Sequence, residues 1–336
     1  MNSNMNMNNI IYYTFLAGWC AEAAGARLEF RKTRYDEKQA NDALHMVGLN
    51  TSGVKLGQIT DDSEMEMCLM SALIACRNEE YFPLEAISEE YIKWYKSEPF
   101  DIGQTTTYAL LDANNASDML TNSHEYNEHS ESNGSLMRCI PLAVFGMNKN
   151  TETIMNMAEL ENELTHPNKL VSEITGIYCV IISDMLVKQT NNQEINIDGI
   201  ISSISKLITN KHIYDWFHIG RKLTNLKEYD CIKNEGHVKH AFIFVIYFLH
   251  NIKKYNYETA ISEVLQCGGD TDTNAKIVGN LFGAYYGDCV PSYMSHNVLN
   301  FDCTDINNDF FKRPLIYGVK YAIQLINKFN MDFYNI

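Results

Sequence analysis

Helical periodicity governs nearly the whole of this 336-residue sequence, and that one feature excludes most architectures. From Met65 the apolar positions Met65, Cys68, Leu69, Ala72, Leu73 and Cys76 recur at spacings of three and four, the mark of one helix face. Ile277, Val278, Leu281, Phe282 and Tyr285 repeat the pattern near the C-terminus, where Gly279, Gly283 and Gly287 add a stripe of small residues that lets another helix approach closely. Helical patterns also run through 174–186, 200–208, 241–249 and 257–265. Alternating strand patterns are scarce, and only six prolines are present to interrupt long helices. The expectation is an all-α chain, a single-domain orthogonal helical bundle over residues 10–336 behind a polar tail at residues 1–9. The polar stretches 112–132 and 189–194 read as interruptions between helices. A two-domain division near Gln189 is the alternative, but the chemistry below draws on residues from both sides of it, so one domain with inserted loops is preferred.

Charge narrows the function. Twenty-seven Lys and Arg stand against 42 Asp and Glu, a net charge of −15, so the surface repels a polyanion and no nucleic-acid duplex is expected as a partner. An anionic substrate therefore needs a local positive centre. With 46% apolar residues there is ample material for a core. The nine cysteines are odd in number and form no CxxC pair, which reads as free, mostly buried thiols of a reducing compartment, and a cytoplasmic address follows. The longest strongly apolar run, 241–249, is too short to cross a bilayer, so no membrane partner is expected. The N-terminus carries no Lys or Arg before the apolar 10–15, which argues against a secretory or transit leader. The oligomeric state is not encoded, and a monomer is the default.

Two acidic turns stand out. Thr60-Asp61-Asp62-Ser63 precedes the helix from Met65, and Gly268-Gly269-Asp270-Thr271-Asp272-Thr273-Asn274 opens the helix through Ile277, the glycines providing a tight entry. Each alone reads as a helix cap, since Thr, Asp and Ser are good capping residues and acids suit a first turn. If both helix starts meet, Asp61, Asp62, Asp270 and Asp272 gather four carboxylates, with the hydroxyls of Thr60 and Thr273 beside them. Four such charges in contact cannot all stay ionised without compensation, and two divalent cations supply +4 against −4. All-oxygen ligation suits two Mg²⁺, with Mn²⁺ as a substitute, and disfavours zinc.

At this point the residues resemble a known family. AEAAGARLEF at 21–30, GQITDDSEM at 57–65, YIKWYKSEPFDIGQTT at 91–106, SNGSLMR at 132–138, ELTHPN at 163–168 and CGGDTDTNA with GNLFGAYYG and VP across 267–291 follow one another as in the ADP-ribosylglycohydrolases. That group includes the dinitrogenase reductase-activating glycohydrolases and the animal ADP-ribosylarginine and ADP-ribosylserine hydrolases. The resemblance spans nearly the whole chain. It implies the family's all-α fold and places Thr60, Asp61, Asp62, Asp270, Asp272 and Thr273 around two Mg²⁺, the same six that the charge argument selects. It also implies a catalytic part for Glu29, as manager of the proton on the leaving group or the attacking water, alongside Asp61 and Asp272. Without the resemblance, Glu29 is a surface acid.

The loop Ser132, Asn133, Gly134 and Ser135 lets backbone come close and offers amide and hydroxyl donors to a diphosphate, and it is similar to the family's ADP-ribose-contacting loop. Arg138 either pairs with a phosphate or braces the loop, and bracing is favoured. His166 resembles the family's Thr-His segment near the substrate, against the plainer reading of a structural histidine at a helix start. Tyr285 and Tyr286 can stack on adenine, although Tyr285 falls on the apolar face and reads as core. Two positions depart from the family: Ala21-Glu22 stands where Gly-Asp is usual, and Arg27 replaces a small residue or proline.

The implied activity is Mg²⁺-dependent hydrolysis of the C1″ glycosidic bond of ADP-ribose attached to a protein side chain or small acceptor. The expected partners are thus ADP-ribose and its conjugates. Two other readings stay open: an ADP-ribose-binding module that has lost turnover, and a metal-dependent phosphohydrolase that cuts the diphosphate.

Overall fold

The periodicity is realised as helix throughout. The computed structural model describes residues 7–29, 31–79, 81–305 and 311–333, and among these it contains sixteen α-helices and no strand. In order they are α1 (Met7–Gly25), α2 (Glu37–Leu44), α3 (Asp61–Ala75), α4 (Leu84–Tyr95), α5 (Gln104–Leu110), α6 (Ala116–Asn127), α7 (Ile140–Phe145) and α8 (Thr151–Glu163). There follow α9 (Lys169–Thr190), α10 (Ile197–Ser205), α11 (Lys211–Lys222), α12 (Val238–Asn251), α13 (Tyr257–Cys267), α14 (Thr271–Tyr286), α15 (Ser292–Asn300) and α16 (Val319–Phe333). The chain forms two compact units, the first made of residues up to 59 with 184–301, the second of 60–183 with 302 onward. Of the nine-residue polar tail read from the sequence, residues 1–6 lie outside the described residues and α1 already begins at Met7.

Asparagine does much of the local work. Asn115, Asn150, Asn196, Asn210 and Asn256, with Asp36, accept a backbone N–H from the first turn of α6, α8, α10, α11, α13 and α2. Each such cap is worth about 1 kcal/mol. The cap at Asn115 corrects the reading of 112–132 as an interruption: α6 occupies most of it. Its polar sequence carries too little apolar periodicity to announce a helix.

In the first unit the glycine stripe finds its partner in α1. A Cβ at Gly279 would lie 2.6 Å from the Ala17 carbonyl oxygen, and one at Gly283 would lie 2.7 Å from that of Tyr13. The fit is reciprocal, since Gly18 of α1 leaves room for Asn280, whose Nδ2 donates to the Thr14 carbonyl at 2.9 Å. At the end of α1 a Cβ on Gly25 would fall 2.4 Å from the Thr271 carbonyl oxygen and 2.5 Å from the Asp272 Cα. The register of α1 on α14 thus fixes where α14 begins. Gly287, the third of the stripe, serves otherwise: at φ 72° it ends α14. Tyr285, read as core, is only part-buried, and Tyr286 is exposed with its hydroxyl donating to the Ile252 carbonyl at 2.9 Å.

In the second unit α3 departs from the one-faced helix that its spacing suggests. Asp61 to Met70 and Ala72 to Ile74 are all buried. Glu64 survives inside because Arg313 pairs with it at 2.9 Å and the Trp94 indole N–H donates to it at 2.7 Å. A periodicity count reads such a glutamate as outward-facing. The helix α9 is long and apolar enough to cross a membrane, with mean hydropathy 1.8 over its most apolar window, but 78% of that window is buried inside the protein. It exceeds the 241–249 run taken from the sequence as the longest. All nine cysteines are free thiols, seven of them buried.

Candidate functional site

The second acidic turn belongs to the first unit. Gly268 and Gly269 both hold positive φ, at 74° and 75°. A side chain there would be strained by conformation and blocked by space, for a Cβ would meet the Thr33 and Cys231 carbonyl oxygens at 2.3 and 2.6 Å. The Cys231 thiol donates to the Gly268 carbonyl at 3.3 Å. This entry delivers Asp270, Asp272 and Thr273 to the first turn of α14, all three buried. Asp272 Oδ1 accepts the Thr273 N–H at 3.0 Å, and the Thr271 hydroxyl donates to the Gly25 carbonyl at 2.7 Å, tying the turn to the end of α1.

Glu29 lies in the same unit, half-buried, with a carboxylate oxygen within 4.8 Å of one from Asp272. Two ionised carboxylates at that separation repel by about 3.5 kcal/mol at an effective dielectric near 20. The turn that carries Glu29 is clamped through its carbonyls. The Thr51 hydroxyl is shared between those of Arg27 and Glu29 at 3.1 and 3.0 Å, while the Ser52 and Tyr35 hydroxyls donate to those of Ala26 and Leu28. Sequence reasoning missed Tyr35, Thr51 and Ser52. A hydroxyl that serves a backbone carbonyl leaves no pattern in the residue types, beyond a Thr-Ser pair shortly before the first acidic turn.

The departures from the family pattern have structural answers. Glu22 is wholly buried and pairs at 3.0 Å with Lys276, one turn beyond Asp272 in α14. Arg27 is buried too; its Nη2 donates to the Gly48 carbonyl at 3.3 Å, and burial lowers its pKa.

The first acidic turn belongs to the second unit. Thr60 precedes α3, and its hydroxyl donates to Asp62 Oδ2 at 3.2 Å; Thr60, Asp61 and Asp62 are all buried. Neither Thr60 nor Asp270 makes a side-chain capping bond to its helix, unlike the asparagines above. Across both turns the donor atoms are carboxylate and hydroxyl oxygens in buried surroundings, the chemistry that fits Mg²⁺ or Mn²⁺.

The 132–135 loop lies in the second unit with its hydroxyl-bearing neighbours. Ser132 and Gly134 are partly exposed, whereas Asn133 and Ser135 are buried. A Cβ on Gly134 would sit 2.9 Å from the His166 ring, so the close approach that this glycine permits is to that imidazole. His166 is fully buried, with Nε2 on Ser132 Oγ at 3.0 Å and Nδ1 on Thr165 Oγ1 at 2.8 Å. Burial, helped by the positive charge of Arg138, holds its pKa well below 6.5, so the ring is neutral. Arg138 braces, as favoured from the sequence: it is wholly buried, pairs with Glu161 at 2.7 Å, donates to Thr165 Oγ1 at 2.6 Å and stacks over Tyr91 at 4.6 Å. The Tyr91 hydroxyl closes the cluster on Glu161 at 2.6 Å.

Comparison with known proteins gives a consistent picture. The family model described as ADP-ribosylglycohydrolase matches residues 6–317. An Acanthamoeba polyphaga mimivirus protein with the provisional name ADP-ribosyl glycohydrolase is 31% identical over 324 residues, 89% of this chain and 94% of the relative. The ADP-ribosyl-dinitrogen reductase glycohydrolase of Rhodospirillum rubrum is 24% identical, covering 83% and 86% of the two chains. An ADP-ribosylarginine hydrolase of Serratia proteamaculans is 23% identical over 79% and 68%. A solved structure described as an ADP-ribosylglycohydrolase-related protein complex shares the fold, with a TM-score of 0.72 at 17% identity over 98% of this chain and 99% of that one.

Proposed function

Because this chain belongs to the ADP-ribosylglycohydrolase family, a group of hydrolases acting on ADP-ribose linkages, we propose that it cleaves the C1″ glycosidic bond of ADP-ribose attached to a protein side chain or a small acceptor, with two Mg²⁺ ions as cofactors. The residues that would hold the cations are Thr60, Asp61, Asp62, Asp270, Asp272 and Thr273. The observation that carries the reading is the half-buried Glu29 carboxylate within 4.8 Å of Asp272, a pair of acids placed where a counter-charge is needed. When bound, the cations would supply Lewis-acid polarisation and the positive centre that a net charge of −15 otherwise denies an anionic substrate.

The protein's own groups take the remaining tasks. Glycosidic cleavage runs through an oxocarbenium-like state, so holding the ribose and handling one proton are what a side chain can add. Glu29, whose turn is held by the hydroxyls of Thr51, Ser52 and Tyr35, would take or return that proton. The 132–135 loop would receive the ADP-ribose moiety through the Ser132 hydroxyl and the backbone beside Gly134, and Arg138 would hold the loop in shape from behind.

The test is a panel of arginine- and serine-linked ADP-ribosyl peptides, incubated with Mg²⁺ or with EDTA and resolved by product. Free ADP-ribose in the Mg²⁺ arm, lost in EDTA and restored by Mn²⁺, is the expected result. AMP as the product would instead establish cleavage of the diphosphate. ADP-ribose binding without release would establish a reader that has lost turnover.

A further inference from the structure

Behind the 132–135 loop a chain of hydrogen bonds has a direction that can be worked out from its heavy atoms. A guanidinium has donors only, so at 2.6 Å Arg138 Nη2 gives a hydrogen to Thr165 Oγ1. The other partner of that oxygen is His166 Nδ1 at 2.8 Å, and the threonine is fully buried. Were Nδ1 to carry the imidazole hydrogen, Thr165 would accept twice and its own hydrogen would be buried with nothing to receive it. That arrangement incurs the full desolvation cost of a buried donor. With Nδ1 bare, Thr165 accepts from Arg138, donates to Nδ1, and no polar atom is left over. The ring hydrogen then sits on Nε2 and is donated to Ser132 Oγ at 3.0 Å.

The consequence reaches the surface at Ser132. Ser132, Ser130 and Thr105 are partly exposed and form a ring of hydroxyls, at 3.2 Å from Ser130 to Ser132, 3.1 Å from Ser132 to Thr105 and 2.9 Å between Thr105 and Ser130. An Nδ1–H tautomer would draw the Ser132 hydrogen inward to the imidazole. The Nε2–H tautomer makes Ser132 an acceptor on its buried side, so its own hydrogen turns outward, to Thr105 in the free protein. The same hydrogen can be handed to a ligand oxygen when one arrives.

We propose that Thr165, held by the buried Arg138 and Glu161 pair, is a positioning residue that fixes His166 as the Nε2–H tautomer and so keeps Ser132 a hydrogen-bond donor toward an oxygen of the ADP-ribose moiety. His166 acts through Ser132 and does not itself touch substrate. The ligand half of this assignment rests on the function proposed above, whereas the tautomer does not.

Two measurements test it. In full-length protein with isotope-labelled histidine, the His166 ring signals, assigned by triple-resonance experiments linked to the backbone, are expected to show a bare Nδ1 and a protonated Nε2 at neutral pH. An Nδ1–H pattern overturns the proposal. Calorimetric titration with ADP-ribose in Mg²⁺ is expected to give about fivefold weaker binding for Thr165→Val, the loss of one ligand hydrogen bond, and near wild-type binding for Thr165→Ser, which restores the hydroxyl. Equal weakening in both variants marks a packing role and overturns the proposal, as does wild-type affinity in Thr165→Val. A wild type that binds no ADP-ribose would remove the functional reading and the ligand half with it, while the histidine spectrum still judges the tautomer.

Discussion

Glu22 shows how one methylene is used. Its carboxylate reaches Lys276, and both side chains are wholly buried, so removing one partner takes from the other a buried ion pair made at 3.0 Å. Lys276→Met is expected to lower unfolding free energy by about 3–5 kcal/mol, and the double variant Glu22→Gln, Lys276→Met to recover most of that loss. Denaturant titration of the wild type and the two variants decides it; a double variant no more stable than the single one would show that the pair is not the source. The acids proposed for the site separate by role. Asp272→Asn is expected to lower both Mg²⁺ affinity and turnover, while Glu29→Gln lowers turnover with Mg²⁺ affinity largely kept, read by calorimetry beside the peptide assay. Full activity in Asp272→Asn would remove the metal proposal. At this scale the sequence shows the aspartates because each acidic turn opens a periodic helix, whereas Glu29 stands out only through the family resemblance. It cannot show their supports: Lys276 lies 254 residues from Glu22, and Thr51, Ser52 and Tyr35 act on carbonyls that every residue possesses.

Among the helices, α1 and α14 carry the clearest chain of cause from composition to site. The small residues on α14 were legible as an invitation to close packing, but nothing in the pattern named α1 as the guest. Both helices offer small residues to the contact, Gly18 and Gly25 on one and Gly279 and Gly283 on the other, and this lets the α14 entry turn sit against the end of α1. Gly279→Ala would push a methyl to 2.6 Å from the Ala17 carbonyl oxygen, which backbone cannot yield cheaply. It is expected to cost about 1–3 kcal/mol and to weaken Mg²⁺ binding, because the start of α14 shifts with the helix. Gly103→Ala is the control: nothing lies within 4 Å of the added carbon, so stability should stay within about 0.5 kcal/mol of the parent. Equal thermal midpoints for the two variants would contradict the packing account. The misread elements have the opposite character. In α6 a solvated helix lacks apolar period, and in α3 buried glutamates mimic an outward face, so periodicity understates both.

On the scale of the whole molecule, acid should act through the buried imidazoles. His166 in the second unit and His240 in the first are both fully buried. Burial lowers both pKa values, well below the ordinary range for His166 and to about 4 for His240. The sign follows from proton counting. In the unfolded chain each histidine takes up a proton near pH 6.5, while the folded protein refuses it until far lower, so the unfolded state binds more protons throughout that window. Stability is therefore complete above about pH 6.5 and declines as pH falls toward 4, by about 3 kcal/mol for His240 alone. Neutralising carboxylates over the same range relieves repulsion in a chain of net charge −15, which pulls the other way, so the total slope does not isolate the imidazole. The difference between wild type and His240→Gln does, because the carboxylates are common to both. Denaturant unfolding at pH 7.5 and pH 5.0 should show wild type losing more stability than the variant between the two, with the variant weaker at pH 7.5 from its altered bonds to Tyr229 and the 233–234 carbonyls. Parallel losses in the two proteins would mean that His240 takes up its proton in the folded state as readily as in water.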